Sequence, residues 1–178
     1  MEGSLVFIVT GHQGSGKTSF LEQLIKSLES KGISLAGFLA ISTSRDDDQL
    51  AYSIKNITSG EMIPLASQEF YDNWSKIGSF YFNPRAIIKG NTILADPNIH
   101  SSDLVVIDEI GPFELNDKIW SGSVTPLVSD HHTPMIWIVR KSLVGQVVEK
   151  WNLEEVIVFD IEDTSVEEAS EMIISRLG

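Results

Sequence analysis

The sequence contains no cysteine, which excludes disulfides, thiolate metal sites and a cysteine nucleophile. Basic residues are scarce: 13 Lys and Arg stand against 25 Asp and Glu, a formal net charge of −12 at pH 7. A surface of that sign repels a nucleic-acid backbone and gains little from counterion release, so no nucleic-acid partner is expected. No apolar run approaches the roughly 20 residues that a bilayer-spanning helix requires, so no membrane association is expected either. Met1-Glu2-Gly3-Ser4 lacks the basic stretch of a secretory signal, which makes the cytoplasm the expected location. Repeats, low-complexity segments and an interdomain linker are also missing. The 178 residues are therefore read as one domain over 1–178, able to bury about 70% of the surface its unfolded chain exposes. A hydrophobic content of 42% with 21% charged residues is that of a soluble globular protein, a monomer or small homo-oligomer.

What the chain does have is glycine in a telling place. Gly11-His12-Gln13-Gly14-Ser15-Gly16-Lys17-Thr18 satisfies the phosphate-binding pattern G-x-x-x-x-G-K-[ST] at every fixed position. An apolar run over 5–9 precedes it and a helical pattern beginning near Thr18 follows. A glycine-rich loop lets successive backbone N–H groups approach phosphate oxygens without a side-chain clash. The following helix points its unpaired N–H groups and positive dipole end at the same anion. Residues 11–19, through Ser19, are the expected nucleotide-binding stretch. In it Lys17 reaches the β- and γ-phosphates, and the Thr18 hydroxyl ligates Mg²⁺.

Apolar runs and turn signals lay out the rest. Phe20, Leu21, Leu24, Ile25 and Leu28 recur at helical spacing, and Gly32 stands where a C′ glycine ends a helix. A second strand is expected over 33–41, a polar turn over 44–49, and an antiparallel meander or hairpin over 36–65. Residues 66–82 are aromatic-rich and carry no clear period. Asn83-Pro84 reads as an N-cap with Pro at N1, opening a helix to about Ala95 with Gly90 as its weak point. Further strands are expected at 104–107, 135–139 and 156–159. Helices are expected at 119–128, where Gly122 and Pro126 intrude, and at 143–151. Thr164 to Glu167 offers a capping box for a last helix, with Val166, Ala169, Met172, Ile173 and Leu177 on one face. Strands alternating with helices imply an α/β P-loop fold. Its mostly parallel central sheet carries helices on both faces, with the antiparallel insertion around 36–65.

Leu104-Val105-Val106-Ile107-Asp108-Glu109 supplies the second half of a site. Four apolar residues and then an acid match the Walker B pattern, in which Asp108 holds Mg²⁺ beside Thr18. Glu109, one step beyond, is placed to orient and polarise a water for attack on the γ-phosphorus. Kinases that move the phosphoryl group to a bound acceptor do not require such a glutamate. Transition-state charge still needs a cation beyond Lys17 and the metal. Arg140, closing the 135–139 strand, is the first candidate, with Lys141 and Arg45 behind it. His131-His132 lacks the further ligands a metal pair needs. Phe70, Tyr71, Trp74, Phe80, Tyr81 and Phe82 either stack on a nucleobase or cover the sheet. The expected activity is Mg²⁺-dependent hydrolysis of nucleoside triphosphates, with a small-molecule kinase or a nucleotide-controlled switch as alternatives.

Several segments in order resemble the small nucleoside-triphosphatases of the THEP type. Thr10-Gly11 to Thr18 is similar to that family's T-G-x-x-G-x-G-K-T, and Gly37-Phe38 to its G-F-Y/F strand. Asp108-Glu109-Ile110-Gly111-Pro112-Phe113-Glu114-Leu115 is similar to its D-E-I-G-x-M-E-L string, with Phe113 in place of methionine. The resemblance implies hydrolysis of several triphosphates (ATP, GTP and others) with little base preference. It also implies that Gly111, Glu114 and Leu115 shape the loop beneath the site. The chain departs from the family at Gly78-Ser79-Phe80, where a lysine is usual, at Ile138-Val139-Arg140, and at Asp163-Thr164-Ser165.

Overall fold

The structure, a computed structural model, describes residues 3–44, 48–130 and 133–178. Arg45 and the His131-His132 pair lie outside the described residues. A nine-stranded sheet runs in the order β5-β6-β4-β3-β2-β7-β8-β1-β9. Its parallel part comprises β2 (Leu35–Ser42), β7 (Leu104–Ile107), β8 (Met135–Arg140), β1 (Leu5–Gly11) and β9 (Glu155–Asp160). The antiparallel part continues from β2 through β3 (Ala51–Asn56) and β4 (Met62–Ser67), as the meander predicts. It then goes further than expected. The aromatic stretch that carries no clear period forms a hairpin, β5 (Ser75–Ile77) and β6 (Phe80–Phe82), that pairs with β4. The sheet is accordingly parallel on one side of β2 and antiparallel on the other.

Both faces of β1, β7 and β8 are covered, which is why they read as continuous apolar runs instead of alternating ones, whereas Val158 of the edge strand β9 is 46% exposed. Side chains still alternate between two cores. Phe7, Val9, Val106, Ile136 and Ile138 pack under α1 (Lys17–Ser30) and α6 (Val166–Leu177). Val6, Ile8, Val105, Ile107 and Trp137 face α2 (Pro84–Leu94), α4 (Ser121–Ser129) and α5 (Val144–Lys150). Helix α2 begins as read, with the Asn83 side chain accepting the Arg85 N–H at 3.1 Å and Pro84 at N1. A four-residue helix, α3 (Pro112–Leu115), follows β7 and was not anticipated.

Two local readings shift. The capping box of α6 sits one residue later than expected. Ser165 Oγ accepts the Glu168 N–H at 3.2 Å, and Glu168 Oε2 accepts the Ser165 N–H at 2.7 Å. Met172, assigned to the apolar face of α6, is 45% exposed, because Ala169, Ser170 and Ile173 form the buried stripe.

Gly37 explains the glycine of the Gly37-Phe38 pair. Its φ is +107°, and a Cβ there would lie 2.0 Å from the Val106 carbonyl oxygen of the neighbouring strand. Only glycine fits that approach. Gly90 is likewise more than a weak point in a helix. A Cβ on it would fall 2.3 Å from the indole of Trp120, itself packed on Phe38 with ring centroids 4.8 Å apart. Gly90→Ala should therefore cost about 1–3 kcal/mol by overpacking, outweighing the ~1 kcal/mol of helix propensity it gains. Gly122 in α4 has nothing within 4 Å of its would-be Cβ, so Gly122→Ala should stabilise slightly. Urea midpoints of the two variants should move in opposite directions; a parallel shift would refute the packing account.

Candidate nucleotide site

β1 ends at Gly11, and the chain turns through residues 12–16, where the Ser15 N–H donates to the His12 carbonyl at 3.1 Å. Gly16 caps α1 in the left-handed region, φ 91° and ψ 28°, with no side chain closing the helix end. The first helical bond runs from the Phe20 N–H to the Gly16 carbonyl at 3.0 Å. The N–H groups before it are left without intrahelical acceptors. A 14-residue helix thus presents uncapped donors and its positive dipole end to the space above the loop.

The expected binding residues divide in two. Gln13, Gly14, Gly16, Lys17, Thr18 and Ser19 line a cavity of about 510 Å³. Gly11, His12 and Ser15 build the turn instead. Gly11 pairs with Arg140 across β1 and β8, and His12 offers its carbonyl to Lys17 Nζ at 2.9 Å while its ring faces Glu162 at 3.6 Å. Lys17 is buried at 7% exposure. Burial lowers its pKa, Glu109 pulls it back up, and Arg140 lowers it further.

Parallel pairing of β7 between β2 and β8 brings the second motif to the same end of the sheet. Asp108 is 3% exposed. Its Oδ2 accepts from Thr18 Oγ1 at 3.0 Å and from the Ala40 N–H at 3.1 Å. Burial, and then the neighbouring Glu109 charge, push its carboxyl up to about 7, against the hydrogen bonds from Ala40 and Thr18. Glu109 Oε1 lies 3.3 Å from Arg140 Nη2. Arg140 ends β8 on the Asp108 side, as parallel strands require. Lys141 points elsewhere, its Nζ 2.7 Å from Asp160 Oδ2 beside β9.

The donor set suits magnesium. A hydroxyl and a buried carboxylate converge within 3.0 Å, both hard oxygen ligands, and the carboxylate stands in a field that a cation would relieve. Among the described residues no group of three or more His, Cys, Asp or Glu could cage an ion. Mg²⁺ needs no such cage, since it keeps several waters and takes substrate phosphate oxygens as ligands.

Glu114 anchors the floor. Its Oε2 accepts the Gly111 N–H at 2.8 Å, which fixes the start of α3, and it is 3% exposed. Burial raises its carboxyl to about 8 from an ordinary 4.5, with Gly111 opposing and Glu109 adding. The folded state therefore holds a proton that the unfolded chain releases, so stability falls as pH rises from about 4.5 to about 8, by up to about 1.4 kcal/mol per pH unit. Glu114→Gln keeps an acceptor for Gly111 and removes the titration. Urea unfolding at pH 5.5 and 7.5 should show a smaller loss in the variant than in the parent; equal losses would exclude Glu114 as the source.

Sequence reasoning missed three contributors. The Ala40 N–H is a backbone group and leaves no side-chain signal. Tyr52 lines the cavity, and burial, then Glu109, raise its pKa. Its alternation with the buried Ile54 marked it as inward-facing. Trp120, which follows the unexpected α3 in the chain, also lines the cavity. Of the aromatic cluster, Phe80 and Phe82 line the cavity. Tyr71 and Trp74 stack on each other at 4.3 Å, and Phe70 packs edge-on against Tyr81.

A family model described as NTPase matches residues 6–174. The nucleoside-triphosphatase THEP1 of Methanothermobacter thermautotrophicus is 28% identical over 175 residues, covering 96% of this chain and 95% of its own. The crystal structure of THEP1 from Aquifex aeolicus superposes with a TM-score of 0.73 at 22% identity, over 97% of this chain and 99% of that one. A human cancer-related nucleoside triphosphatase solved in solution gives 0.70 at 19% identity, over 98% and 97%. The overall fold thus recurs in two solved structures matched over nearly their full length, and the chain, matched by the family model over residues 6–174, belongs to the NTPase family.

Proposed function

We propose that this NTPase-family enzyme hydrolyses nucleoside 5′-triphosphates, ATP and GTP among them, to the diphosphate and phosphate with Mg²⁺ and little base selectivity. One observation carries the reading. Thr18 Oγ1 and Asp108 Oδ2 meet at 3.0 Å at the uncapped end of α1, with Glu109 next in the chain. The similarity to relatives that are nucleoside-triphosphatases supports it. Loop and helix amides hold the phosphates, and Lys17 leaves the His12 carbonyl to bind the β- and γ-oxygens. Thr18 and Asp108 hold the metal, which when bound screens the phosphate charge and polarises the γ-phosphoryl group. Glu109 takes a proton from the attacking water as its oxygen bonds to the γ-phosphorus and the bridging oxygen departs with the diphosphate. Arg140, held beside Glu109, meets the charge that develops on the γ-oxygens. Recognition through backbone amides and phosphate contacts accounts for low base selectivity. No helix among the described residues is long and apolar enough to cross a membrane. The proposed setting is cytoplasmic, with the enzyme monomeric or in small homo-oligomers, and the acidic composition supports the lack of a nucleic-acid partner.

Phosphate release measured with ATP, GTP, CTP and UTP tests this. All four should turn over with Mg²⁺ and none with excess EDTA; no release from any would refute the reading. In the same assay Arg140→Ala should lower kcat by on the order of 10²–10³ with a smaller change in KM. Equal losses in ground-state affinity would make Arg140 a uniform binder instead.

A further inference from the structure

Hydrolysis needs room for one water at the γ-phosphorus, yet the cavity goes much deeper. From the phosphate loop it passes Asp108 and Glu109 and continues across β2, β3, β4 and β6, on the side of β7 away from β1 and β9. There its walls are Tyr52, Leu65, Phe80, Phe82, Phe113 and Trp120. Three of these, Leu65, Phe82 and Trp120, are 7%, 5% and 3% exposed, so the recess reaches into the core. Water is poorly held by such walls, since it needs two to four polar partners. Concave, mainly apolar space with a few convergent polar groups is the form of a small-molecule site.

The polar groups in the recess are few and placed. Gln68 accepts the Leu50 N–H through Oε1 at 3.0 Å, which leaves its amide NH₂ without a partner among the described residues. The Tyr52 hydroxyl is likewise unpaired there, and Glu109 stands where the recess meets the phosphate site. Apart from Glu114, whose buried carboxyl accepts the Gly111 N–H beside Phe113, the charged groups gather at that junction. A second anion would be repelled by the triphosphate and by Asp108 and Glu109, so the occupant these walls suit is neutral and aromatic.

We propose that the recess binds a neutral aromatic alcohol whose hydroxyl takes the place of the attacking water, making this protein a phosphotransferase as well as a hydrolase. The proposal rests on the phosphate site described above. In the transfer, the alcohol oxygen bonds to the γ-phosphorus, the bond from phosphorus to the bridging oxygen breaks, and the hydroxyl proton passes to Glu109. The products are a phosphate monoester and the nucleoside diphosphate, and no further reactant is required.

Three probes test it: 2-naphthalenemethanol, tryptophol and adenosine. Each is titrated by calorimetry into the protein carrying Mg²⁺ and a nonhydrolysable ATP analogue, then incubated with Mg-ATP and the products weighed by mass spectrometry. At least one should bind with a Kd under about 1 mM and yield its phosphate ester, one per ADP formed beyond the phosphate released to water. Ser79 is exposed at the β5–β6 turn beside the mouth of the recess. Ser79→Trp should cut ester yield relative to free phosphate by about tenfold or more, the equivalent of 1.4 kcal/mol of lost binding. Failure of all three to bind, or binding without ester, overturns the proposal. So does an alcohol that competes with ATP, since the nucleobase itself would then fill the recess. Continued phosphate release with no ester removes only the acceptor site. Ester without any release to water removes the hydrolase reading and leaves the acceptor site standing.

Discussion

Glu109→Gln should leave Mg-nucleotide affinity within a few-fold of the parent and slow turnover by roughly 10²–10⁴, the range for loss of a positioned general base. The substitution keeps size and hydrogen-bonding capacity and removes the basicity needed to accept a proton. It also weakens the contact with Arg140 at 3.3 Å. Both side chains of that pair are about one-third exposed, 35% and 34%, and an exposed ion pair contributes roughly 0–1 kcal/mol. Unfolding midpoints should therefore hardly move, and a fall in rate cannot be ascribed to a damaged fold. Single-turnover phosphate release beside an equilibrium nucleotide titration separates the two quantities. Hydrolysis at the parent rate would make Glu109 a structural partner of Arg140.

Lys17→Ala should weaken triphosphate binding by on the order of 10- to 100-fold, the equivalent of the 1.5–3 kcal/mol that a hydrogen bond to a charged group contributes. The loss should be much smaller for a monophosphate, whose single group need not reach the lysine. Stability should move the other way. Burial already disfavours the charge on Lys17, and its hydrogen bond among the described residues is to the His12 carbonyl at 2.9 Å, on a loop that water can reach. Removing the ammonium lifts a desolvation cost, so the Tm of the nucleotide-free variant should equal or exceed that of the parent. Unchanged triphosphate affinity would count against the whole site.

The centre of the parallel half was legible because both faces of β1, β7 and β8 are covered. Residues 104–107 and 135–139 stood out as short apolar runs with a charge at the end, and those charges, Asp108 and Arg140, are candidate site residues that the structure brings to one cavity. The antiparallel half was harder. β5 and β6 have three residues each, too few to display a period, and their aromatics pack by tertiary contact, as with Phe82 edge-on to Phe113 at 5.2 Å. Within the site, Lys17, Thr18, Asp108, Glu109 and Arg140 could be read directly from motif spacing and strand ends. The Ala40 amide could not, because pairing of β2 with β7 creates that contact and no residue type announces it. Gly90 was misjudged for a related reason: helix propensity is local, whereas its value lies in the indole across from it. The shifted capping box of α6 shows the limit of motif reading when Thr164 and Ser165 both offer a hydroxyl and Glu167 and Glu168 both offer a carboxylate.

The order of the strands has a consequence for how the chain matures on the ribosome. β1 leaves the exit tunnel first, yet its two sheet neighbours are residues 135–140 and 155–160. At a synthesis rate of about 5–20 residues per second, the nascent phosphate loop waits on the order of ten seconds for the strands that secure it. β2 and β3 meanwhile have each other at hand. The meander is therefore free to assemble early and the parallel half late, which exposes the apolar residues 5–9 to chaperones or to neighbouring chains during the interval.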